Sequence, residues 1–400
     1  FEDKHANLWL GLDNGIDYLE INSPLSIYDH TFHVESAYAS LVHNGLLYVG
    51  TNQGLFYADL EEIENINLTK SGFQIVAGTE GQVWKLEVMD DQLLCGHNFG
   101  CFLIDGIKAE RIASDRGYWT FIKHHGKTDT IICGTYNGLT ILVKRNQKWQ
   151  FAHKIEGFDE SSKNVVQYNN KIWIAHGYRG LFEVKVNKSL NRVEDFKLYS
   201  ANNGLPQELP YNVHVINKDL IFSSKQGFFE FESSSDSFLP SEKYNRIFGE
   251  QLAVDNIYSD ERGNLWYFAF GKMGLFRLLE DGTYSNVMTP FNRINPSLIE
   301  SYENVFVYNN RNVFIGSKNG LLHYDPFFKK DYQTLSDVVF REIVFSGDNG
   351  SNMLFNVTSK ATDIRPLTEI SYDLNSVSFR FAAPFYESGG NTLFSYRLNG

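Results

Sequence analysis

Eight positions in this chain place a polar, aromatic or basic side chain two residues ahead of a glycine that opens an apolar run: Asp13, Asn52, Asn98, Tyr136, Tyr178, Lys225, Lys272 and Lys318. In chain order, polar residues give way to aromatic and then to basic ones. Such groups at turn tips suit binding rather than bond-breaking. Ammonium groups, with Arg179 beside them, pair with anions. Flat rings beside polar donors match the faces and hydroxyls of sugars. If equivalent turns share one face, Lys225, Lys272 and Lys318 form a cationic arc able to steer a uronic or sulfated sugar. The plainer alternative is that they are solvated turn residues. Tyr136, Tyr178, His97 and His176 read either as sugar-contacting groups or as ordinary turn packing.

Catalysis finds no comparable pattern. The carboxylates Glu61-Glu62, Asp90-Asp91 and Asp159-Glu160 fall between the turns, where solvated loops belong, and an acid and base pair for glycan cleavage does not stand out. No nucleophile triad, phosphate loop or redox motif is recognisable, so no catalytic residue and no cofactor is assigned. No pair of Cys or His has metal-ligand spacing, so no metal site is assigned either. Cys95 and Cys101 sit symmetrically about Asn98, which allows a cross-strand disulfide. Three cysteines are too few for a disulfide framework, and Cys95, Cys101 and Cys133 read better as small buried apolar residues.

The turns belong to a repeat. An apolar run, a small residue, two or three polar residues, then glycine and a second apolar run recurs eight times, as in Leu47-Tyr-Val-Gly-Thr-Asn-Gln-Gly54-Leu-Phe and Val313-Phe-Ile-Gly-Ser-Lys-Asn-Gly320-Leu-Leu. Closing glycines lie 38 to 47 residues apart. Each copy predicts a hairpin, because β-branched and aromatic residues favour strands and glycine takes positive φ freely. With a strand before it, as in Gln82-Val-Trp-Lys-Leu-Glu-Val88, and a polar outer strand, each period holds the four strands of a propeller blade. Helical repeats are excluded by turn residues punctuating the chain too often for 3.6-residue periodicity. Trp9, Trp173 and Trp266, inside their strands, are expected in the core.

The fold class expected is therefore all-β: a seven-bladed β-propeller of four-stranded blades over residues 25–330, followed by a truncated Ig-like β-sandwich over 331–400. Residues 1–24 read as the last strands of a preceding propeller and a linker. After Asp325-Pro326 the signature stops, and longer alternating strands such as Val338-Val-Phe-Arg-Glu-Ile-Val-Phe345 take over. Among 400 residues, 36 Lys and Arg stand against 48 Asp and Glu, a net charge of −12 that repels a phosphate backbone. No direct nucleic-acid contact is expected. No run of apolar residues is long enough to cross a bilayer. The chain is read as an excised piece with any membrane anchor outside it.

The stretches Tyr372-Asp-Leu-Asn375-Ser376 and Tyr396-Arg-Leu-Asn-Gly400 resemble the three-tyrosine, Ig-like domain that follows the propellers in bacterial sensor-regulators of the Bacteroidetes type. The repeats resemble that family's regulator-propeller repeat, and Glu20-Ile-Asn-Ser-Pro-Leu25 resembles its join between tandem propellers. The resemblance implies Tyr372, Asn375 and Tyr396 as family-motif residues. It also implies a periplasmic input region without enzyme activity, joined through a membrane helix to a histidine kinase or helix-turn-helix output. An oligosaccharide ligand and a homodimer are the partners it implies. The rival readings are a propeller hydrolase or lyase acting on glycans and a protein-binding scaffold.

Overall fold

The computed structural model describes residues 1–3, 6–64, 72–249, 252, 254–330, 332, 338–347, 352–356, 371–383 and 394–397. The chain divides into two units, Ser23–Phe328 and a second formed by Phe1–Asn22 with Lys329–Gly400.

The first unit is a ring of seven antiparallel four-stranded sheets. Six blades are continuous in sequence, over 37–75, 83–113, 120–154, 164–199, 212–240 and 254–287. The seventh takes three strands, Val305–Tyr308, Asn312–Ser317 and Gly320–Tyr324, from the end of the unit. Its fourth, Leu25–Tyr28, comes from the beginning and pairs in the register Leu25↔Tyr324 to Tyr28↔Leu321. Blade 7 is thus closed by the opposite end of the unit. The first strands of neighbouring blades touch one another, Ala37–His43 against Val83–Met89 on one side and against Val305–Tyr308 on the other, so they form the inner wall.

The signature of the sequence is the second strand, the turn after it and the third strand. Second strands such as Thr130–Thr135 and Asn312–Ser317 are buried along their whole length. A strand covered on both faces has no solvent side to alternate with, hence the unbroken apolar runs. The two glycines of the signature have separate reasons, visible in blade 7. A Cβ on Gly316 would sit 2.4 Å from the Ala37 carbonyl oxygen of blade 1, so the small residue is set by the close approach of the next blade. Gly320 has φ +138°, and a Cβ there would lie 2.2 Å from the Tyr28 carbonyl oxygen.

Register corrects one sequence expectation and decides between the two readings of the cysteines. In blade 6, Ala269 pairs with Lys272, so the turn tip is Phe270-Gly271, with Phe270 at φ +53°. Lys272 belongs to the strand Lys272–Leu278 and is not the equivalent of Lys225 or Lys318. Gly274 lies opposite Tyr267, whose ring occupies the space of a Cβ. In blade 2, Cys101 pairs with Gly96 and Phe102 with Cys95, which puts the two cysteines on opposite faces of the sheet. Cys95, Cys101 and Cys133 are free thiols, and burial pushes all three thiols well up from their ordinary range.

Trp173 and Trp266 are buried in the core, the latter donating from Nε1 to Asp260 at 3.0 Å. The second unit, described by itself, holds the hairpin Leu8–Leu12 with Gly15–Leu19 and a three-stranded antiparallel sheet in the order Asn352–Asn356, Val339–Ser346, Ser376–Ala382. Trp9 is half-buried against Tyr18, with Nε1 on Asp3. Glu20 and Lys330 form a buried ion pair. Phe340 packs against both Phe379 and Phe381, and Phe381 against Phe394. Tyr372 and Tyr396 are exposed, as is Asn375. Leu398, Asn399 and Gly400, the end of the expected Tyr-Arg-Leu strand, lie outside the described residues.

Candidate functional site

The inner strands begin beside the second turns. Backbone hydrogen bonds tie turns to the connector entering their own blade, Asn98 N to Gln82 O, Tyr136 N to Arg116 O and Lys318 N to Ser297 O, or to that entering the next, Ser162 N to Thr135 O. Turn tips and inner-strand entries therefore share one rim. Within it opens a cavity of about 440 Å³ on the axis, in the size range of small-molecule sites.

Three of its lining residues owe their direction to the same irregularity. Ala37 and Ala39 pair with the successive residues Thr51 and Gly50, leaving Tyr38 as an extra residue. Trp84 is extra between Val83 and Lys85, and Asp255 between Val254 and Asn256. A bulge of this kind breaks the alternation of the strand and re-aims one side chain. Here it turns Tyr38, Trp84 and Asp255 into the axial cavity, where Trp119, Lys163 and Tyr302 join them from the entries of blades 3, 4 and 7.

The aromatic groups form one continuous wall. Trp84 and Trp119 stack with centroids 5.1 Å apart at 4°, Trp84 and Tyr302 at 5.2 Å and 24°, and Tyr38 meets the edge of Trp84 at 5.7 Å. Tyr136 stands edge-on to Trp119 at 5.3 Å. Its hydroxyl accepts from Trp84 Nε1 at 2.9 Å and donates to Asn98 Oδ1 at 2.8 Å, locking the indole. Trp119 Nε1 is buried without a hydrogen-bond partner among the described residues. All five rings are half-buried, so the wall keeps area for a ligand.

Charged groups line the same cavity. Lys163 Nζ lies 3.8 Å from the Tyr302 centroid and 5.1 Å from that of Trp119, and donates to the Ser301 carbonyl oxygen. Burial lowers its pKa to about 8, with Glu303 opposing the fall. The buried Glu303 carboxylate accepts from Asn256 Nδ2 and from Ser301 N, each at 3.0 Å. Asp255 accepts no hydrogen bond among the described residues. Burial, then the negative charges of Glu303 and Glu300, push its pKa up to about 6 against the pull of Lys225. His214, buried in the same wall, is held down to about 4 by burial and shares a hydrogen bond with Ser223 Oγ at 2.8 Å.

Of the residues singled out from the sequence, Tyr136 is part of this wall. Tyr178 is 90% exposed at its turn tip, and its phenol lies within electrostatic reach of Tyr302. His176, half-buried, accepts from Tyr178 N through Nδ1 at 3.2 Å and faces Glu160 at 3.8 Å. Arg179 is ion-paired with the same Glu160. His97 is fully buried, accepts from Phe99 N through Nδ1 at 3.0 Å and supports its turn instead of meeting solvent. Lys225 faces Glu208 at 3.5 Å, and Lys318 Nζ lies 3.5 Å from the Pro296 carbonyl oxygen. With Lys272 in a strand and Lys225 facing a carboxylate, the three lysines do not make an unopposed cationic arc. Tyr38, Trp84, Trp119, Lys163, Asp255, Tyr302 and Glu303 were missed. The signal available was recurrence just before or inside each inner strand, one element ahead of the conspicuous turns.

Among the described residues, no group of three His, Cys, Asp or Glu is placed to hold a metal, and no helix is long and apolar enough to cross a membrane. No family model matches the sequence. No curated protein matches it either. Solved structures do match. The extracellular domain assigned to the hybrid two-component system BT3049 of B. thetaiotaomicron aligns with a TM-score of 0.64 at 14% identity, over 96% of this chain and 52% of that one. The extracellular domain assigned to the hybrid two-component system BT4673 of the same organism aligns at 0.51 and 13% identity, over 82% and 44%. Virginiamycin B lyase from Staphylococcus aureus aligns at 0.49 and 10% identity, over 75% and 98%. The chain spans about half the length of the first two proteins. At these identities the likeness establishes the fold: this chain carries a seven-bladed propeller of the kind found in extracellular domains of B. thetaiotaomicron two-component systems.

Proposed function

We propose that this chain is the extracytoplasmic, periplasmic ligand-sensing region of a bacterial signal-transduction regulator, and that the axial mouth of its propeller binds an oligosaccharide. The observation that carries the reading is the wall of Tyr38, Trp84, Trp119 and Tyr302, buttressed by Tyr136, around a cavity of about 440 Å³. Pyranose rings present flat C–H faces that pack on such rings, while Asn and backbone groups at the rim take hydroxyls. The lysines of the rim have partners of their own, so the reading does not require an anionic sugar. Binding matters for signalling only as far as the ligand discriminates between two arrangements of the region. A homodimer whose pairing changes, with the residues after 330 as the relay, is the arrangement we favour.

Calorimetry of the chain against neutral, amino, uronic and sulfated oligosaccharides tests the site. Saturable binding without turnover is expected, with affinity falling at least tenfold in Trp84→Ala, which removes the centre of the stack. Unchanged affinity in that variant would move the site elsewhere. Silence across the panel would favour a protein partner. Cleavage would favour a glycan-processing enzyme, the reading that the carboxyls Asp255 and Glu303 in the same cavity keep specific.

A further inference from the structure

The charged residues lining the axial cavity are Lys85, Glu87, Lys163, Asp255 and Glu303, two cations against three carboxylates, or 2 − 3 = −1. One ion pair and one longer-range attraction offset part of this. Lys85 Nζ stands 3.2 Å from Glu87. Lys163 feels Glu303, whose oxygens are already held by Asn256 and Ser301. Asp255 is left over. It has no hydrogen bond or ion pair among the described residues, and the bulge of its strand delivers it into the cavity. Lys225 lies within its field from the rim but stands 3.5 Å from Glu208.

The aromatic wall of the same cavity already accommodates an ammonium group. Lys163 Nζ rests on Tyr302 and Trp119 at cation–π distances, the arrangement that aromatic boxes offer to amines. A ligand that brought a cation beside Asp255 would find an unopposed carboxyl in a cavity that the aromatic wall also lines. A neutral ligand could offer that carboxyl only hydroxyl or amide hydrogen bonds with no opposite charge, and an anionic one would meet it head-on.

We infer that the sugar taken by the axial mouth carries a protonated amino group, which pairs with Asp255 while the pyranose ring lies on the Trp84 and Trp119 wall. The inference rests on the reading of that wall as a sugar site and adds the chemical class: an oligosaccharide containing a non-acylated amino sugar. Discrimination then comes from position 2 of the ring, where a hydroxyl, an acetamide and an ammonium differ in charge on one scaffold. All three can donate a hydrogen bond to the half-buried carboxyl, but only the ammonium adds an opposite charge, and the acetamide adds bulk without one.

The experiment uses the whole chain at about pH 6 and three β-1,4-linked tetrasaccharides: of glucose, of N-acetylglucosamine and of glucosamine. Calorimetry is expected to give at least tenfold tighter binding of the glucosamine tetramer than of either other sugar. Asp255→Asn is expected to close most of that gap, and added salt to weaken the glucosamine tetramer more than the glucose tetramer. Equal affinity for all three sugars, or a gap that survives Asp255→Asn, overturns the inference while leaving the sugar site standing. Preference for the acetylated tetramer overturns it likewise. Binding of none of the three overturns the inference and counts against the sugar reading too, which the wider panel and Trp84→Ala then decide separately.

Discussion

Deleting Leu25–Tyr28 is expected to leave the propeller unable to close, with the cooperative unfolding transition lost and the chain prone to aggregate. Those four residues are the outer strand of blade 7, paired along Gly320–Tyr324 from the far end of the unit. Without them the edge of Gly320–Tyr324 is bare, a row of unpaired N–H and C=O groups that templates association. The strand also carries Tyr28, 1% exposed, packed edge-on to Phe32 and Phe73 in the core shared by blades 7 and 1, with its hydroxyl donating to the Ile63 carbonyl oxygen at 3.0 Å. Burial pushes that phenol up to about 12, so it stays a neutral donor. Tyr28→Ala keeps the strand but opens a cavity and orphans the Ile63 carbonyl, and is expected to cost about 3–5 kcal/mol. Denaturant unfolding followed by tryptophan fluorescence separates the two variants: a lower midpoint for Tyr28→Ala, a shallow or absent transition for the deletion. A deletion variant that unfolds at the wild-type midpoint with the wild-type slope would mean that the ring does not depend on this closure.

The seam explains how much of the fold was legible in the sequence. The second strands were legible because burial on both faces makes them continuous apolar runs, and glycines recur where the neighbouring backbone comes within a Cβ radius, as at Gly316 against Ala37. Leu25–Tyr28 was not legible as the closure, since nothing in four residues records a partner at the other end of the unit. Blade 6 misled for a local reason. Gly274 before Leu275-Phe276 imitates a closing glycine, while Phe270-Gly271 makes the tighter turn and draws Lys272 into the strand.

The site was less legible than the fold. Turn tips are conspicuous because polar residues interrupt apolar runs, and Tyr136 was found that way. Tyr38, Trp84 and Asp255 reach the channel through bulges, and an extra residue erases the two-residue period by which a strand assigns its faces. Trp84 inside Gln82-Val-Trp-Lys-Leu therefore looked like any aromatic strand residue. The lysines misled in the opposite sense. Their charge was visible in the sequence, but the Glu208 beside Lys225 lies in the connector before the inner strand of blade 5, where spacing alone gives no contact.

Asp255→Asn is expected to make the protein more stable at neutral pH, and by a margin that shrinks as the solution is acidified. The carboxyl is held at about 6 in the folded protein by burial and by Glu303 and Glu300, against about 3.9 in an unfolded chain. Between those two values the folded state holds a proton that the unfolded state has lost. The unfolding free energy therefore falls as pH rises through that window, and the penalty is fully present above the folded value. A shift of two units corresponds to about 3 kcal/mol, reduced to about 1–2 kcal/mol because solvent reaches the channel mouth. Carboxylates with lowered values, such as Asp29, Asp90 and Asp219, slope the other way, so the total stability curve is not the readout. The readout is the difference between variant and wild type, measured by urea unfolding from about pH 4 to about pH 7. Asparagine carries no charge at any of these pH values, so the difference isolates Asp255. A difference that widens with pH ties the residue to an uncompensated negative charge in the cavity, the condition under which a cationic ligand is favoured. A flat difference would mean that water or a cation of the protein already compensates Asp255, and the argument for an amino sugar would lose its electrostatic support while the aromatic wall kept its own.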